Sequence, residues 1–540
     1  MNASSAIRSF FLVNIFLLLS SDLINQNLYT YFNRDYNMEV QSELYSSKVR
    51  FHTAIQAWRK GDIQEIANFD SLKQLNRIEK QIDKKWKQKA WNKFLNDDVV
   101  TLYRDNFWFA LNPLMNFELG YEFNESRTRY INTRGFEAKG EIGKGFSFYT
   151  SFYENQGSFV NYLDTVIRTL EIIPGQGMQR EFKEDGFDYA YAEGYLAFNA
   201  GKYFDFQLGY DNVFIGDGYR SLLLSDNAFN YPYLKINAKF WHINYTVLYS
   251  QMMDINHQWS ENLGYAKKWS TTHYLSWAVS KRFNVGIFET IVWQAQDSTG
   301  YRGFDVTYLN PILFLRPVEF SVGSSDNALM GLNLSFIVGK HHTFYGQFII
   351  DEFKLDEIRG GNGWWGNKFG WQLGFKTFNV FGVKNLFFQT EFNMVRPYTF
   401  AHGETMKNYG HYNAALGHPM GANFWESVNF VKYNWRRFYF RYQFQYARYG
   451  IDYDDKNYGK DIYKSYDNRV SDYDVKVGQG LNTTVVYNDI TVSWLVNPAY
   501  NLNLALGYTN RSFKNERDNI ITSFFHIGLR TSLNRHYYDF

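Results

Sequence analysis

The run Phe214-Ile215-Gly216-Asp217-Gly218-Tyr219-Arg220-Ser221-Leu222-Leu223-Leu224-Ser225-Asp226-Asn227-Ala228 concentrates more chemistry than any other stretch of the chain. Asp217, Arg220, Asp226 and Asn227 offer bidentate polar groups, and Tyr219 offers a flat ring. That combination suits a sugar, which presents hydroxyls and C–H faces together. It equally suits an Arg–Asp pair that fixes a loop folded into a lumen, because buried charges pair for their own sake. The run lacks the Gly-Lys-Ser/Thr ending of a phosphate loop. Later loop groups repeat the mixture of charge and ring, in Arg316, Glu319, Arg396, Tyr398, Tyr409, His411 and Tyr412. With Asp217, Tyr219, Arg220 and Asp226 they form one candidate ligand-binding set, expected to converge at one end of a lumen. The competing expectation is a salt-bridged internal scaffold without a ligand.

Other chemistries find little support. There are no cysteines, which removes disulfides, thiolate metal sites and cysteine nucleophiles. His402, His411 and His418 share a region with Glu404, but their spacings fit no zincin pattern. His341-His342 has no spaced third ligand. Asp452, Asp454, Asp455, Asp461, Asp467, Asp472 and Asp474 crowd one loop without the Gly and closing Glu of an EF-hand, and read as a solvated loop. No G-x-S-x-G elbow is present. No enzyme, metal or cofactor is expected.

The elements that must carry these loops are strands. From Arg437 to Tyr446, Phe438, Phe440, Tyr442 and Phe444 alternate with Arg437, Arg441, Gln443 and Gln445. Leu502, Leu504 and Leu506 likewise alternate with Asn501 and Asn503. Strict period two puts the apolar set on one face and the polar set on the other. Apolar outside and polar inside is the requirement for a barrel in lipid. Eighteen such segments follow Leu114, near 114–124, 134–142, 145–153, 188–198, 202–211, 233–240, 241–251, 271–281, 282–292, 330–338, 342–350, 368–377, 383–392, 426–434, 437–447, 485–494, 501–510 and 524–534. Short links such as Gly143-Lys144 alternate with long ones over about 154–187, 293–329, 393–425 and 448–484, the rhythm of periplasmic turns and extracellular loops. The fold class is an all-β transmembrane barrel of about eighteen antiparallel strands over 106–540, with a small N-terminal α-helical segment.

Composition agrees. Aromatic residues make up 20%, which suits interfacial girdles, and the 8 prolines suit a chain that is mostly paired strand. A mean hydropathy of −0.43 excludes a helical membrane protein. The net charge of +2 gives no case for nucleic acid. Arg8, an apolar run from Phe10 to Leu19, and Ser20-Ser21 form a secretory signal within residues 1–26. Over 37–105, Leu72, Leu75, Ile78, Ile82, Trp86, Ala90 and Phe94 mark a helical stripe with a basic face. That helix is expected at the periplasmic mouth, packed through the stripe. Its basic face has three readings: solvated, resting on anionic head groups, or holding an acidic polymer. Phe540 either ends an outer-membrane strand after a bulge or closes a short tail.

The run Ile215–Ala228 resembles the Wzi-type capsule-assembly family. So do Asn310-Pro311, Arg316-Pro317-Val318-Glu319, Asp326–Leu332 and Gly346–Glu352. Arg396-Pro397-Tyr398, Asn408–Asn413, His418–Asn423, Phe51–Ile55 and the helix through Trp86 and Trp91 are similar to its Bacteroidetes branch, which includes the gliding-motility protein RemB. The resemblance covers nearly the whole mature chain. It implies an eighteen-stranded outer-membrane barrel, lectin-like retention of capsular polysaccharide, and a supporting role in surface motility. The expected partners are outer-membrane lipid, surface or capsular polysaccharide, and the barrel-assembly machinery of a Gram-negative cell. A porin-like diffusion channel is the alternative. The fate of the long loops decides between them, since loops folded inward close the lumen.

Overall fold

The structure, a computed structural model, describes residues 27–540 except 36, 65, 68–76, 79–83, 261–263, 298–299, 315–316, 318–322, 324–325 and 532–535. The signal segment, Leu72, Leu75, Ile82, Arg316 and Glu319 therefore lie outside the described residues.

Eighteen antiparallel strands close on themselves. They are β1 (Phe107–Glu122), β2 (Arg127–Ile142), β3 (Phe146–Ser158), β4 (Gly186–Ala200), β5 (Phe204–Asp211), β6 (Tyr231–Phe240), β7 (Ile243–Ser260), β8 (Gly264–Ala278) and β9 (Phe283–Gln294). Then follow β10 (Asn327–Val338), β11 (His342–Glu352), β12 (Lys368–Phe378), β13 (Leu386–Val395), β14 (Phe424–Trp435), β15 (Phe438–Ile451), β16 (Leu481–Asn497), β17 (Leu502–Lys514) and β18 (Asn519–Arg530). Each pairs with its neighbour, and β18 returns to β1 from Phe524↔Glu122 to Arg530↔Asn116. Every one of the eighteen expected segments is a barrel strand.

The wall is inside out relative to a soluble protein. Leu208, Leu332, Leu373, Ile490, Leu504 and Leu506 are exposed on its outer face, while Glu137, Gln347, Glu391, Glu426 and Gln445 are buried on its inner face. Phe438, Phe440 and Tyr442 point outward, and Arg441 points inward to Asp489 at 2.8 Å. Period two enforces this, because a one-residue slip would bring every charge to the apolar face. One end of the barrel has short turns. Gly143 and Gly201 take φ of +61° and +73° in two of them, the left-handed conformation such tight links demand. The other end carries long connections: 159–185, 212–230, 295–326, 353–367, 396–423 and 452–480.

Residues 27–67 enter the lumen from the short-turn end. Helix α1 (Met38–Leu44) buries Val40 and Leu44 against Trp58 and Ile63. Met38 and Tyr45 pack on Phe378 and Phe387 of the wall. Ile55 and Gln56 then pair with Ile215 and Phe214, so the N-terminal segment meets the 212–230 run inside the barrel. A short helix α2 (Lys60–Gln64) carries Asp62, which bonds Arg59 and Lys239.

Helix α3 (Lys85–Asn96) departs from expectation. Trp86 and Phe94 of the expected packing stripe are 68% and 47% exposed, and the docking residue is Leu95. The mouth is already filled by residues 27–67. Asn497 fixes the helix end from outside, donating to the carbonyls of Phe94 at 2.7 Å and Asp97 at 3.0 Å. Those bonds, rather than the widest apolar stripe, choose the face that meets the barrel. They place Leu95 on Val496, Tyr500 and Leu502, so Leu502, expected to face lipid, is covered.

Strand β18 stops at Arg530, and the chain turns back into the lumen. Tyr537 is 2% exposed there, and Phe540 packs beside Phe159 and Val160 near the long-loop end. Of the two expectations for Phe540, the tail is the one observed.

Candidate functional site

Inside the barrel, the 212–230 run is clamped from every side. The Arg220 guanidinium is fully buried. It reaches Glu426 Oε1 from Nη2 at 2.9 Å, and it meets Asp539 at 3.1 Å as an ion pair without an aligned hydrogen bond. Its plane lies 4.7 Å from the Tyr219 ring and 4.9 Å from that of Tyr537. The backbone N–H groups of Tyr219 and Arg220 both donate to Glu391, at 2.7 and 3.0 Å. Three segments distant in sequence thus meet at one cation: the loop itself, wall strand β14 and the C-terminal tail.

Asp217 accepts from the Tyr45 hydroxyl at 2.8 Å, from Thr53, and from Asn333 at 2.8 Å. Its carbonyl accepts from Lys376 at 2.7 Å. Asp226 accepts from the Tyr537 hydroxyl, and the Tyr219 hydroxyl donates to Asp539 at 2.8 Å. These groups spend their hydrogen-bonding capacity on one another, as buried polar groups must.

The 396–423 loop lies over that knot. The Tyr409 hydroxyl donates to the Leu223 carbonyl at 2.6 Å, and Asn227 donates to the Ala415 carbonyl at 3.1 Å. Burial pushes the His411 imidazole down to about 3, so it is neutral. Its Nδ1 accepts from the Met253 N–H at 2.9 Å, which leaves Nε2–H to donate to the Asn230 carbonyl at 3.2 Å. The Tyr412 ring lies 5.1 Å from Phe229 and is half-buried.

Arg396 and Tyr398 belong to a different place, at the long-loop end. Arg396 donates to the carbonyls of Asn367 at 2.7 Å and Trp364 at 3.1 Å. Tyr398 donates to the Asn457 carbonyl at 2.9 Å. Together they bind the 353–367 loop to the aspartate-rich 452–480 loop, which adds its own bonds from Trp365 N–H to Asp472 and from Val475 N–H to Gly363, both 2.9 Å. The result is a partly exposed aromatic shelf. Trp365 faces Tyr466 with ring centroids 4.9 Å apart, Arg469 lies 4.1 Å over the Trp365 ring, and Tyr473 is 46% exposed beside them. Arg469 in turn pairs with Asp472 at 2.6 Å.

The sequence set therefore divides in two: an internal knot of Asp217, Tyr219, Arg220, Asp226, Tyr409 and His411, and an outer group of Arg396 and Tyr398, with Tyr412 between them. The wall partners Glu391 and Glu426 were missed, although period two does turn both inward. Trp364 and Trp365 were missed as well. Their signal is Gly-Gly-Asn-Gly-Trp-Trp at 360–365, two large rings in a loop that no core requires. Among the described residues, no group of three or more His, Asp or Glu is placed to hold a metal ion.

A cavity of about 330 Å³ remains between the plug and the wall of β14–β18 and β1–β3. Asn501 and Thr531 line its short-turn end, Arg441, Asp489 and His526 its middle, and Val160 and Gln176 its long-loop end.

A closed barrel whose lumen takes in residues 27–67, the inward-folded loops and the C-terminal tail has a counterpart of similar fold among solved structures. The fold is similar to that of Wzi. That Escherichia coli outer-membrane protein, involved in group 1 capsule assembly and described as a carbohydrate-binding β-barrel, shares 12% identity over 94% of this chain and all of its own, with a TM-score of 0.53. Pseudomonas aeruginosa OprD aligns over 78% of this chain and 94% of its own at 11% identity, with a TM-score of 0.42. OpdK of the same organism, solved with vanillate, aligns over 79% and 98% at 8% identity and a TM-score of 0.43. No protein-family model and no curated protein matches the sequence.

Proposed function

We propose that this chain is a non-enzymatic outer-membrane barrel that retains a surface polysaccharide on its long-loop, extracellular face, in support of capsule assembly or gliding. On this reading the short-turn end faces the periplasm, residues 1–26 direct export, the part of 37–105 up to residue 67 plugs the lumen while α3 stays on the periplasmic side, and the barrel-assembly machinery inserts 106–540. The observation that carries the reading is the filling of the lumen. A chain that spends its N-terminal segment, the 212–230 and 396–423 loops and its C-terminal tail on filling an eighteen-strand barrel is built to present a surface rather than to pass solutes. The carbohydrate-binding description of Wzi points the same way.

Asp217, Tyr219, Arg220, Asp226, Tyr409 and His411 then serve by rigidifying the loops, and Arg396 and Tyr398 by holding the Trp364–Trp365 shelf. Rings on which C–H faces can stack, beside the Arg469–Asp472 pair, meet the chemistry of a sugar chain. Replacing Trp364 and Trp365 together with alanine is expected to reduce polysaccharide retention on cells by about tenfold, the scale of losing one or two aromatic contacts of ~1 kcal/mol each. Heat-modifiable migration of the barrel should be unchanged. Full retention by the double variant would remove the shelf from the reading.

The diffusion channel has one observation in its favour, the cavity beside β14–β18 and β1–β3. Liposome swelling separates the two. Slow swelling with sugars or amino acids is expected from the intact protein, and fast swelling would favour the channel.

A further inference from the structure

Helix α3 lies outside the barrel, and its depth can be read from the wall. Leu95 covers Val496 and Leu502, which point outward at the short-turn end. Two residues further into the wall on the same outer face stand Trp494 and Leu504, paired with each other and with Phe438 across β15–β17. Trp435, Phe438 and Trp494 are 52%, 40% and 39% exposed and form the aromatic row expected where hydrocarbon meets head groups. Two residues along a strand span about 7 Å. The helix is therefore held just beyond that row, at head-group level. Arg437, itself 3% exposed, donates to Asn96 Oδ1 at 2.7 Å and fixes the helix end together with Asn497.

The helix surface matches that depth. Residues four apart share a face. Lys87, Trp91 and Leu95 form the row leading to the barrel. Trp86, Ala90 and Phe94 form the next row, and Lys85, Lys89 and Lys93 the one beyond. All three residues of the middle row are exposed. From Lys84 to Asn96 there are five lysines and no acidic residue. The exposed apolar surface continues beyond the helix into Val100 and Leu102, 38% and 52% exposed, on the short strand Val100–Arg104 beside β1. Aromatic rows flanked by lysines, at the edge of a lipid-facing wall, fit a surface where rings enter the acyl boundary and ammonium groups meet phosphates.

We infer that α3 is an interfacial helix that binds anionic phospholipid head groups of the periplasmic leaflet beside the barrel. The inference rests on the reading of the barrel as membrane-embedded, in the orientation proposed above.

Because the chain has no cysteine, a single introduced one can be labelled uniquely. The full-length variant Ala90→Cys, carrying an environment-sensitive fluorophore, is reconstituted into phosphatidylethanolamine vesicles with about a quarter phosphatidylglycerol. The expected result is a blue-shifted emission that lipid-borne quenchers suppress. In phosphatidylcholine alone, or with Lys85→Gln, Lys87→Gln, Lys89→Gln and Lys93→Gln combined, quenching should fall by at least about twofold, since the attraction between the lysines and the anionic surface is lost. A label at Leu504→Cys on the barrel wall separates two kinds of failure. Quenching at 504 without quenching at 90 overturns the inference and leaves the membrane reading intact. Absence of quenching at both sites overturns the membrane reading itself. Equal quenching at 90 in all vesicles and in the lysine variant shows apolar contact only, and overturns the anionic head-group partner.

Discussion

Arg220→Ala is expected to lower barrel stability by about 3–5 kcal/mol, the cost of removing one partner from a buried ion pair and leaving the other charged. Two buried carboxylates, Glu426 and Asp539, would lose their shared cation. In the intact site burial holds the His418 imidazole below its ordinary value, and its Nδ1 accepts from the Met420 N–H at 3.1 Å, so Nε2–H is the donor that reaches Glu426 at 2.8 Å. Thermal unfolding followed by heat-modifiable gel migration measures the loss. Combining Arg220→Met with Glu426→Gln and Asp539→Asn should recover most of it, because neutral groups of similar shape carry no desolvated charge. Wild-type stability in Arg220→Ala would show that the knot does not hold the barrel together.

How much of this was legible beforehand depended on whether the code was local. Strand positions were, because each strand declares its two faces within about ten residues. That is why Phe438 to Gln445 could be assigned to lipid and lumen without a structure. The plug was not. Residues 27–67 show little periodicity, and their fold is set by partners far away: Tyr31 on Glu137, Tyr45 on Asp217, Arg59 on Asp205 and Asp35 on Lys432. No window of sequence contains both members of such a pair. The Arg220 run stood out through its residue types, yet those types fit a ligand and a scaffold equally. Only the positions of Glu391, Glu426 and Asp539 show where its hydrogen bonds go. Helix α3 illustrates a subtler limit. Its periodicity was visible, but the docked row was chosen by Asn497 and Arg437, which bond the helix end from 403 and 341 residues away.

That limit bears on how the lumen is closed. Residues 27–67 cross the short-turn half of the barrel, pairing with Phe214–Ile215 and giving Asp217 two of its donors, Tyr45 and Thr53. Deleting them removes the plug and also releases the 212–230 loop from below. Conductance in planar bilayers is expected to rise on the order of tenfold or more, since an unfilled barrel of this strand number leaves an aqueous channel. Exchanging residues 84–97 for a Gly/Ser linker of the same length should leave conductance where it was, because α3 docks through Leu95 on the outward-facing Val496 and Leu502. The pair of variants therefore separates helix from plug. A rise with the linker exchange would place the occluding element in the helical stripe. No rise with the deletion would mean that the 212–230 and 396–423 loops and the Tyr537–Phe540 tail seal the barrel unaided. In that case the Arg220 knot would be the closure itself, and the N-terminal segment only its support.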